Sequence, residues 1–298
     1  MAVPSLDESQ PQTAARFNRR TFLRRASLLT GTAALGLAGY SGLIETNEIE
    51  VRKLDIRVHR LGEAFDGFKI ALLSDFHYGP YTGEREISSA VQKANALQPD
   101  VIALLGDFVS EPLEGNKRSG AKKAEPCAKV LSGLRSRLGS FAVLGNHDYT
   151  TDPEFVAEAL RAHGTNVLRN STRVFEQAGS RLSLMGLNDA IGAADLDQAL
   201  KGASTADPKI LLVHEPDYAD YSSRFGIDVQ FSGHSHGGQV RIPGIHPLWL
   251  PYLARKYYKG YYRVGQLQLY TNEGIGTIGV PFRFCSPPEV TLVTLRPA

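Results

Sequence analysis

The sequence predicts an α/β fold, one domain containing two β-sheets with helices on the outside. Three observations carry that expectation. Four short apolar runs, FKIALLSD, DVIALLGD, SFAVLGNH and KILLVHE, are too short for helices and rich in Val, Ile, Leu and Phe, as strands buried on both faces are. Helical patterns separate the first three runs, which implies right-handed crossovers and a largely parallel sheet. The C-terminal segments YYRVGQLQLYT and PEVTLVTL alternate apolar and polar residues instead, like a hairpin and an edge strand, with Gly265 at the turn.

Taken in order, the chain opens on a polar leader, then the pair Arg19 and Arg20, then a weakly apolar run from Ala26 to Leu43. This resembles a twin-arginine export signal. The run sits at the low edge of the roughly 17–25 residues that cross a bilayer, and no A-x-A site follows it, so a cleaved signal and a retained anchor both fit. The expected organisation is therefore a leader or anchor over 1–45 and one catalytic domain over 46–298. In that domain EIEVRKLDIRVHRL, from Glu48 to Leu61, reads as a half-buried strand. REISSAVQKANAL and PCAKVLSGLRSRL place apolar residues at three- and four-residue intervals and read as helices. PEFVAEALRAHG reads as a third, with Pro153 at its first position and Gly164 at its end. The Gly-, Lys- and Arg-rich stretch from Glu114 to Glu125 reads as a surface loop.

Composition narrows the function classes. With 298 residues, 42% of them hydrophobic, the chain can bury a full core. Its 33 Lys and Arg against 31 Asp and Glu leave a net charge of +2, which argues against a groove for nucleic acid. The two cysteines, Cys127 and Cys285, lack C-x-x-C spacing and supply neither a disulfide framework nor a structural zinc site; both read as small buried residues.

The chemistry collects where apolar runs end. The first run closes on Asp75-Phe76-His77, the second on Gly106-Asp107, the third on Gly145-Asn146-His147-Asp148, the fourth on His214-Glu215, and VQFS closes on Gly233-His234-Ser235-His236. In open α/β sheets, ligands bind outside the carboxyl ends of the strands. Singly, each residue has an ordinary explanation as a helix cap, a turn or a satisfied polar group. Five separate strand ends carrying such residues have none, and five of the 8 histidines lie there; His59, His163 and His246 do not. Residues two apart in extended chain point the same way, so Asp75 with His77, and His234 with His236, can each face a common volume. Imidazole with carboxylate suits Zn, Mn or Fe. Seven donors (Asp75, His77, Asp107, Asn146, His214, His234 and His236) are too many for one tetrahedral ion and suit two ions about 3.5–4 Å apart, an arrangement that hydrolyses phosphate esters. Gly106 lets the backbone approach closely, which makes Asp107 the natural bridge.

The ordered set D-x-H, GD, GNHD, a later H and GHSH resembles the calcineurin-like metallophosphoesterase superfamily from about Phe68 to the end of the chain. More narrowly, GHSHGGQVRIP and GIGTIGVPFRFCSPPEVTLVTL are similar to an exported or membrane-associated bacterial branch that includes UDP-2,3-diacylglucosamine pyrophosphatases. The resemblance implies a four-layer α/β/β/α fold and two divalent ions. One would be held by Asp75, His77, Asp107 and His236, the other by Asp107, Asn146, His214 and His234. It implies that water activated between the ions attacks phosphorus and that His147 assists the leaving oxygen. Asp148, next in the chain, is at hand to orient the His147 ring or raise its pKa. Gly237 and Gly238 would leave room for the substrate phosphate. Phosphodiester, pyrophosphate and phosphomonoester substrates are all compatible with such a centre.

The segment GIHPLWLPYLARKYYKGYYR holds the only Trp, Trp249, five tyrosines and Arg255, Lys256 and Lys259. This mixture suits a membrane surface or an anionic lipid head group; the other reading is an Ω-like loop packed over the second sheet. Contact with lipid would imply a lipid-linked substrate and an exported, periplasmic or outer-face location, reached through the twin-arginine machinery. Glu273 departs from the narrower pattern, because an acid there repels an anionic substrate if it faces the pocket. Two rival readings are a metal-bound scaffold without turnover, disfavoured because His147 and all seven donors are present, and a nuclease, disfavoured by the near-neutral charge.

Overall fold

Each apolar run becomes a short strand, and the chain adds more. The structure, a computed structural model, describes residues 18–112 and 116–298. The polar leader over residues 1–17 and the start of the predicted basic loop, Glu114 and Gly115, lie outside them. Twelve strands occur among the described residues: β1 Glu50–Val58, β2 Lys69–Leu73, β3 Val101–Leu104, β4 Ser140–Ala142, β5 Asn166–Val167, β6 Ser171–Gln177, β7 Ser180–Gly186, β8 Lys209–Leu212, β9 Val229–Ser232, β10 Gly260–Val264, β11 Leu267–Thr271 and β12 Glu289–Pro297. One sheet has the order β1-β12-β2-β3-β4-β5 and the other β10-β11-β9-β8-β7-β6. Strands β2 to β5 are parallel, as are β7, β8, β9 and β11.

The expected strand at PEVTLVTL exists but is no edge. β12 lies between β1, to which it is parallel, and β2, to which it is antiparallel. Its polar positions are buried as well: Thr291 takes an Asn272 amide hydrogen bond at 2.9 Å, so alternation there does not mark a wet face. The hairpin β10–β11 turns at Gly265, whose φ is 61°. A second hairpin, β6–β7, turns through Ala178 and Gly179 with φ of 46° and 79°, both of the sign that a two-residue hairpin loop of type I′ needs.

Helices α1 Arg19–Gly39, α2 Glu84–Ala96, α3 Ala124–Leu131, α4 Asn146–Thr151, α5 Pro153–Ala162, α6 Leu196–Leu200 and α7 Ala219–Ser222 complete the chain. α2 begins where Glu86 accepts the Gly83 N–H at 2.9 Å, and α5 begins with Pro153 after Asp152 caps Phe155. α3 ends well before the predicted residue 138, because Asn95 takes the Arg135 N–H and donates to the Gly133 carbonyl, diverting the backbone into a turn. The described part of the predicted basic loop is wound into 3₁₀ turns over Lys117–Lys123.

Three buried layers result. Ile70, Leu72, Phe141, Leu184, Ile210, Phe231, Val293 and their neighbours fill the space between the sheets. Alternate residues of the same strands, Ala71, Leu73, Ile102 and Leu104, meet Ile87, Val91, Cys127, Val156 and Leu160 of α2, α3 and α5. Met185, Leu211, Val213 and Leu269 meet Leu196 and Ala219 of α6 and α7 on the far side. This is the expected α/β/β/α order. Burial of each such Leu, Ile, Val or Phe contributes roughly 1.5–3 kcal/mol, so the strands, and with them their ends, are firmly held. Cys127 is in the core, whereas Cys285 is half-exposed, contrary to its expected burial.

The chain divides into two compact units, Met1–Tyr40 and Ser41–Ala298. In the first, α1 exposes Leu23, Leu28, Leu29, Leu35 and Leu37. Among the described residues, the helical stretch beginning with α1 is the one long and apolar enough to cross a membrane, by length and composition.

Candidate metal centre

Because β2, β3 and β4 are parallel, their carboxyl ends share one edge of the first sheet, and those of β8 and β9 share one edge of the second. The two edges meet. The His234 N–H donates to both oxygens of Asp75, at 3.1 and 3.0 Å, and the His214 Nδ1–H donates to the Leu105 carbonyl at 2.6 Å. All five predicted strand ends thereby converge.

They converge by a different local geometry from the extended chain expected at Asp75–His77 and His234–His236. The strands have already ended, and Asp75, His77, Asp107, His234 and His236 adopt left-handed φ values of 53°, 45°, 58°, 70° and 50°. Such non-glycine conformations cost roughly 1–3 kcal/mol each and persist where surrounding bonds impose them. Here the Asp75 N–H donates to the Gly106 carbonyl and the His77 N–H to the Asp107 carbonyl, each at 2.9 Å. Ser74 Oγ donates to Asp75 at 2.5 Å and the Gly276 N–H to the Asp75 carbonyl at 2.7 Å.

Two glycines make the close approach possible. A Cβ on Gly145 would lie 2.3 Å from Asp107 Oδ1, and one on Gly106 would lie 2.6 Å from the Gly145 nitrogen. The close approach expected at Gly106 is therefore present. Gly237 and Gly238 serve another purpose than the expected space for phosphate, since Cβ atoms there would meet Glu273 at 2.2 Å and Pro247 at 2.7 Å.

Donor atoms gather in three overlapping groups: Asp75, His77 and His236; His77, Asp107 and His147; and Asp107, His214 and His234. Asp107 Oδ2 lies 3.1 Å from His214 Nε2 and 3.5 Å from His77 Nε2, while Asp75 Oδ1 lies 3.4 Å from His236 Nε2. Asn146, at the start of α4, has a buried side-chain oxygen with no hydrogen-bond partner.

The chemistry of this donor set fits divalent cations. With Nδ1 donating to Leu105, neutral His214 has only a lone pair on Nε2, and that atom faces the Asp107 carboxylate without a hydrogen-bond partner. His234 donates from Nε2 to the Tyr252 carbonyl at 2.8 Å, leaving its Nδ1 lone pair free. His77 Nε2 and His236 Nε2 are only 3.0 Å apart. Lone pairs of buried imidazoles and carboxylates crowd together unless positive charge lies among them. Burial pushes His77 down to about 3, so its ring is a neutral ligand near pH 7, and burial pushes Asp75 up to about 6. Burial would also lower His214, but Asp107 outweighs it and holds the ring well above the ordinary imidazole range.

His147 and Asp148 part company. Asp148 does not touch the His147 ring. Its carboxylate is fully buried and accepts the backbone N–H groups of Asp107, Phe108, Val109 and Gly145 at 2.9–3.2 Å. It therefore ties the end of β3 to the start of α4, which corrects the catalytic role expected for it. The carboxylate beside the His147 ring is Glu111, 3.7 Å from Nδ1, a residue that the strand-end pattern did not single out. Arg283 was missed as well. Fully buried, it donates to the carbonyls of Gly276, Glu273 and Ser286 and places Nη2 3.3 Å from His236 Nδ1.

Glu273 does not repel substrate. It is fully buried, paired with Arg52 at 2.8 Å, and accepts from Ser286 Oγ, which also donates to the His236 carbonyl. Arg52 reaches a second buried acid, Glu289, at 3.0 Å. Arg52→Met would leave both carboxylates short of a partner. A third of the Arg52 side chain is exposed, so the expected loss in urea denaturation is about 2 kcal/mol, below that for a fully buried pair. An unchanged midpoint would show that Arg241, 3.4 Å from Glu273, suffices alone.

A family profile described as "Calcineurin-like phosphoesterase" matches residues 68–238, more than half of the chain and the whole span from β2 through the GHSH segment. The chain belongs to the calcineurin-like phosphoesterase family. This calcineurin-like phosphoesterase is 31% identical over 287 residues to an uncharacterized metallophosphoesterase, YkuE, of Bacillus subtilis, with 94% of this chain and 98% of that protein covered. It is 29% identical to the phosphodiesterase YaeI of Escherichia coli, with 92% and 99% covered. It is 33% identical to a zebrafish transmembrane protein with a metallophosphoesterase domain, of which it covers 61%, with 88% of this chain matched. As a member of this family the chain is a metal-dependent hydrolase of phosphoric esters, and the dinuclear centre of the family finds clustered candidate ligands here.

Proposed function

We propose that the chain is a membrane-anchored phosphodiesterase, exported by way of Arg19 and Arg20, whose substrate is a phosphodiester carried at the membrane surface. The observation that carries the catalytic part is the convergence of two donor groups on one shared carboxylate, Asp107, beside a histidine that reaches solvent. Asp75, His77 and His236 would hold one ion, Asn146, His214 and His234 the other, with Asp107 common to both. The ions, of Mn, Zn or Fe, would lower the pKa of water and neutralise charge that builds on phosphorus.

The protein's own groups do the rest. The His147 ring is about a fifth exposed, against 0–5% for His77, His214 and His236. It is therefore free to touch an ester oxygen. Its N–H donates to Asp107 Oδ1 at 2.9 Å, which fixes the ring's backbone against the shared carboxylate. The His147 ring stands with Nδ1 3.7 Å from Glu111 and would hand a proton to the leaving oxygen.

Diester cleavage is supported by the name of the E. coli relative, and membrane attachment by α1 and by the transmembrane relatives from zebrafish and cattle. The segment after the GHSH motif adds support. Ile242, Ile245, Leu248, Trp249 and Tyr252 are exposed, Trp249 by 68%, whereas Tyr257 and Tyr262 pack against the second sheet. The exposed half of the segment suits a bilayer interface. A lipid-linked diester is the substrate class we favour.

With manganese bound, the protein is expected to hydrolyse bis(p-nitrophenyl) phosphate. His147→Ala should keep its metal by elemental analysis and lose about 10²–10⁴-fold in kcat. Undiminished turnover in that variant would remove His147 from the chemistry; metal binding without any hydrolysis by the wild type would favour a scaffold.

A further inference from the structure

Beside His77 the surface opens into a cavity of about 180 Å³ between the segments that follow β2 and β3. Tyr78, Pro80, Tyr81, Pro112 and Ile278 give it a mostly apolar lining, Glu111 and Lys123 add one charge of each sign, and His77 belongs both to this lining and to the donor cluster. The proposed mechanism uses His77 and Glu111 of this lining but none of its apolar walls.

The walls are preformed. The Tyr78 N–H donates to the Phe108 carbonyl and the Gly79 N–H to the Thr82 carbonyl, both at 3.0 Å. Ser110 Oγ donates to the His77 carbonyl at 3.3 Å and the Thr277 N–H to Thr82 Oγ1 at 3.2 Å, which ties all three wall segments together. Gly120 lies so close behind that its Cβ would meet the Ser110 carbonyl at 2.6 Å. Rings and aliphatic groups held open in this way leave apolar surface wet unless a ligand covers it.

Size limits the occupant. Small-molecule sites usually enclose about 300–1,000 Å³, and this hollow holds about six water volumes. It accommodates one arm of a diester and has no room for a nucleoside. Since His77 belongs both to the hollow and to the donor cluster, the atom that enters last is the one attached to the reacting phosphate.

We propose that this cavity receives a straight alkyl arm of the phosphodiester, about six carbons deep, and so selects lipid-like esters. The proposal rests on the phosphodiesterase reading above and deepens it.

The test is a series of p-nitrophenyl alkyl phosphates with methyl, butyl and hexyl arms, with a phenyl member added, assayed on the metal-loaded full chain. For the wild type, kcat/KM should rise along the alkyl series by up to about fourfold per methylene, the factor by which burying one CH₂ favours binding. Ile278→Trp, which fills the hollow, should cut the hexyl-to-methyl ratio at least thirtyfold. Tyr81→Ala, which enlarges it, should move the preference toward arms longer than hexyl; this opposite change guards against a misfolded first variant. Hydrolysis with a flat series, or a ratio that neither variant changes, overturns the pocket alone. Preference for phenyl over hexyl overturns the alkyl assignment. Failure to hydrolyse any member with metal bound overturns the phosphodiesterase reading and the pocket with it.

Discussion

Asp107→Asn should leave a folded chain that binds less than one metal ion and loses at least about 10³-fold in turnover, at or beyond the upper end of what removing one charge-stabilising group costs. The effect is large because this carboxylate is common to both donor groups. One oxygen accepts the His147 N–H at 2.9 Å, and the other stands 3.1 Å from His214 and 3.5 Å from His77. Asparagine preserves volume and can still accept the backbone hydrogen bond, so the fold should survive while the negative charge is gone. Burial alone would raise the Asp107 carboxyl, but His214, His147 and His77 hold it well below the usual range, so asparagine removes a charge that is present near pH 7. Elemental analysis with far-UV circular dichroism checks this. An Asn variant that keeps two ions would remove Asp107 as the shared ligand.

Gly106→Ala should lower stability by about 4 kcal/mol, combining left-handed strain of roughly 1–3 kcal/mol with overpacking of similar size. Gly106 has a φ of 102°, and its Cβ would meet the Gly145 nitrogen at 2.6 Å, His214 Nδ1 at 2.8 Å and the Gly145 Cα at 2.9 Å. Two of those atoms are backbone and cannot swing away. A chain of this size should then melt about 10 °C lower. Gly164→Ala is the control, since its φ is 85° but no atom lies within 4 Å of its Cβ, so strain acts alone. Equal melting shifts in the two variants would mean that the contact at Gly106 relaxes freely.

The strand ends were legible because a short apolar run closed by Asp, Asn or His is conspicuous, and parallel strands bring such closures to one edge. The local conformation was not, because nothing in D-F-H or H-S-H announces a left-handed φ. Asp148 was misread through its neighbour, although Gly145 followed three residues later by an acid is the signature of a helix start, and Glu86 after Gly83 repeats it at α2. The stretch from 165 to 208 gave no warning of β5, β6 and β7, since β5 is two residues long, β6 is largely wet and rich in Ser, Thr and Arg, and the turn into the mostly buried β7 is Ala-Gly rather than Asn-Gly. Arg283 was unforeseeable: a guanidinium satisfied by three carbonyls looks in sequence like any surface arginine.

The position of β12 between β1 and β2 bears on biosynthesis. The ribosome makes this strand after the other eleven described strands, yet it lies between β1 and β2 in the first sheet. At about 5–20 residues per second, a nascent chain spends roughly 10–45 s between completing β2 and completing β12 with two unpaired edges that residues 289–297 later seal. A product truncated before Glu289 would be unable to complete this sheet, and would be left to chaperones or proteases.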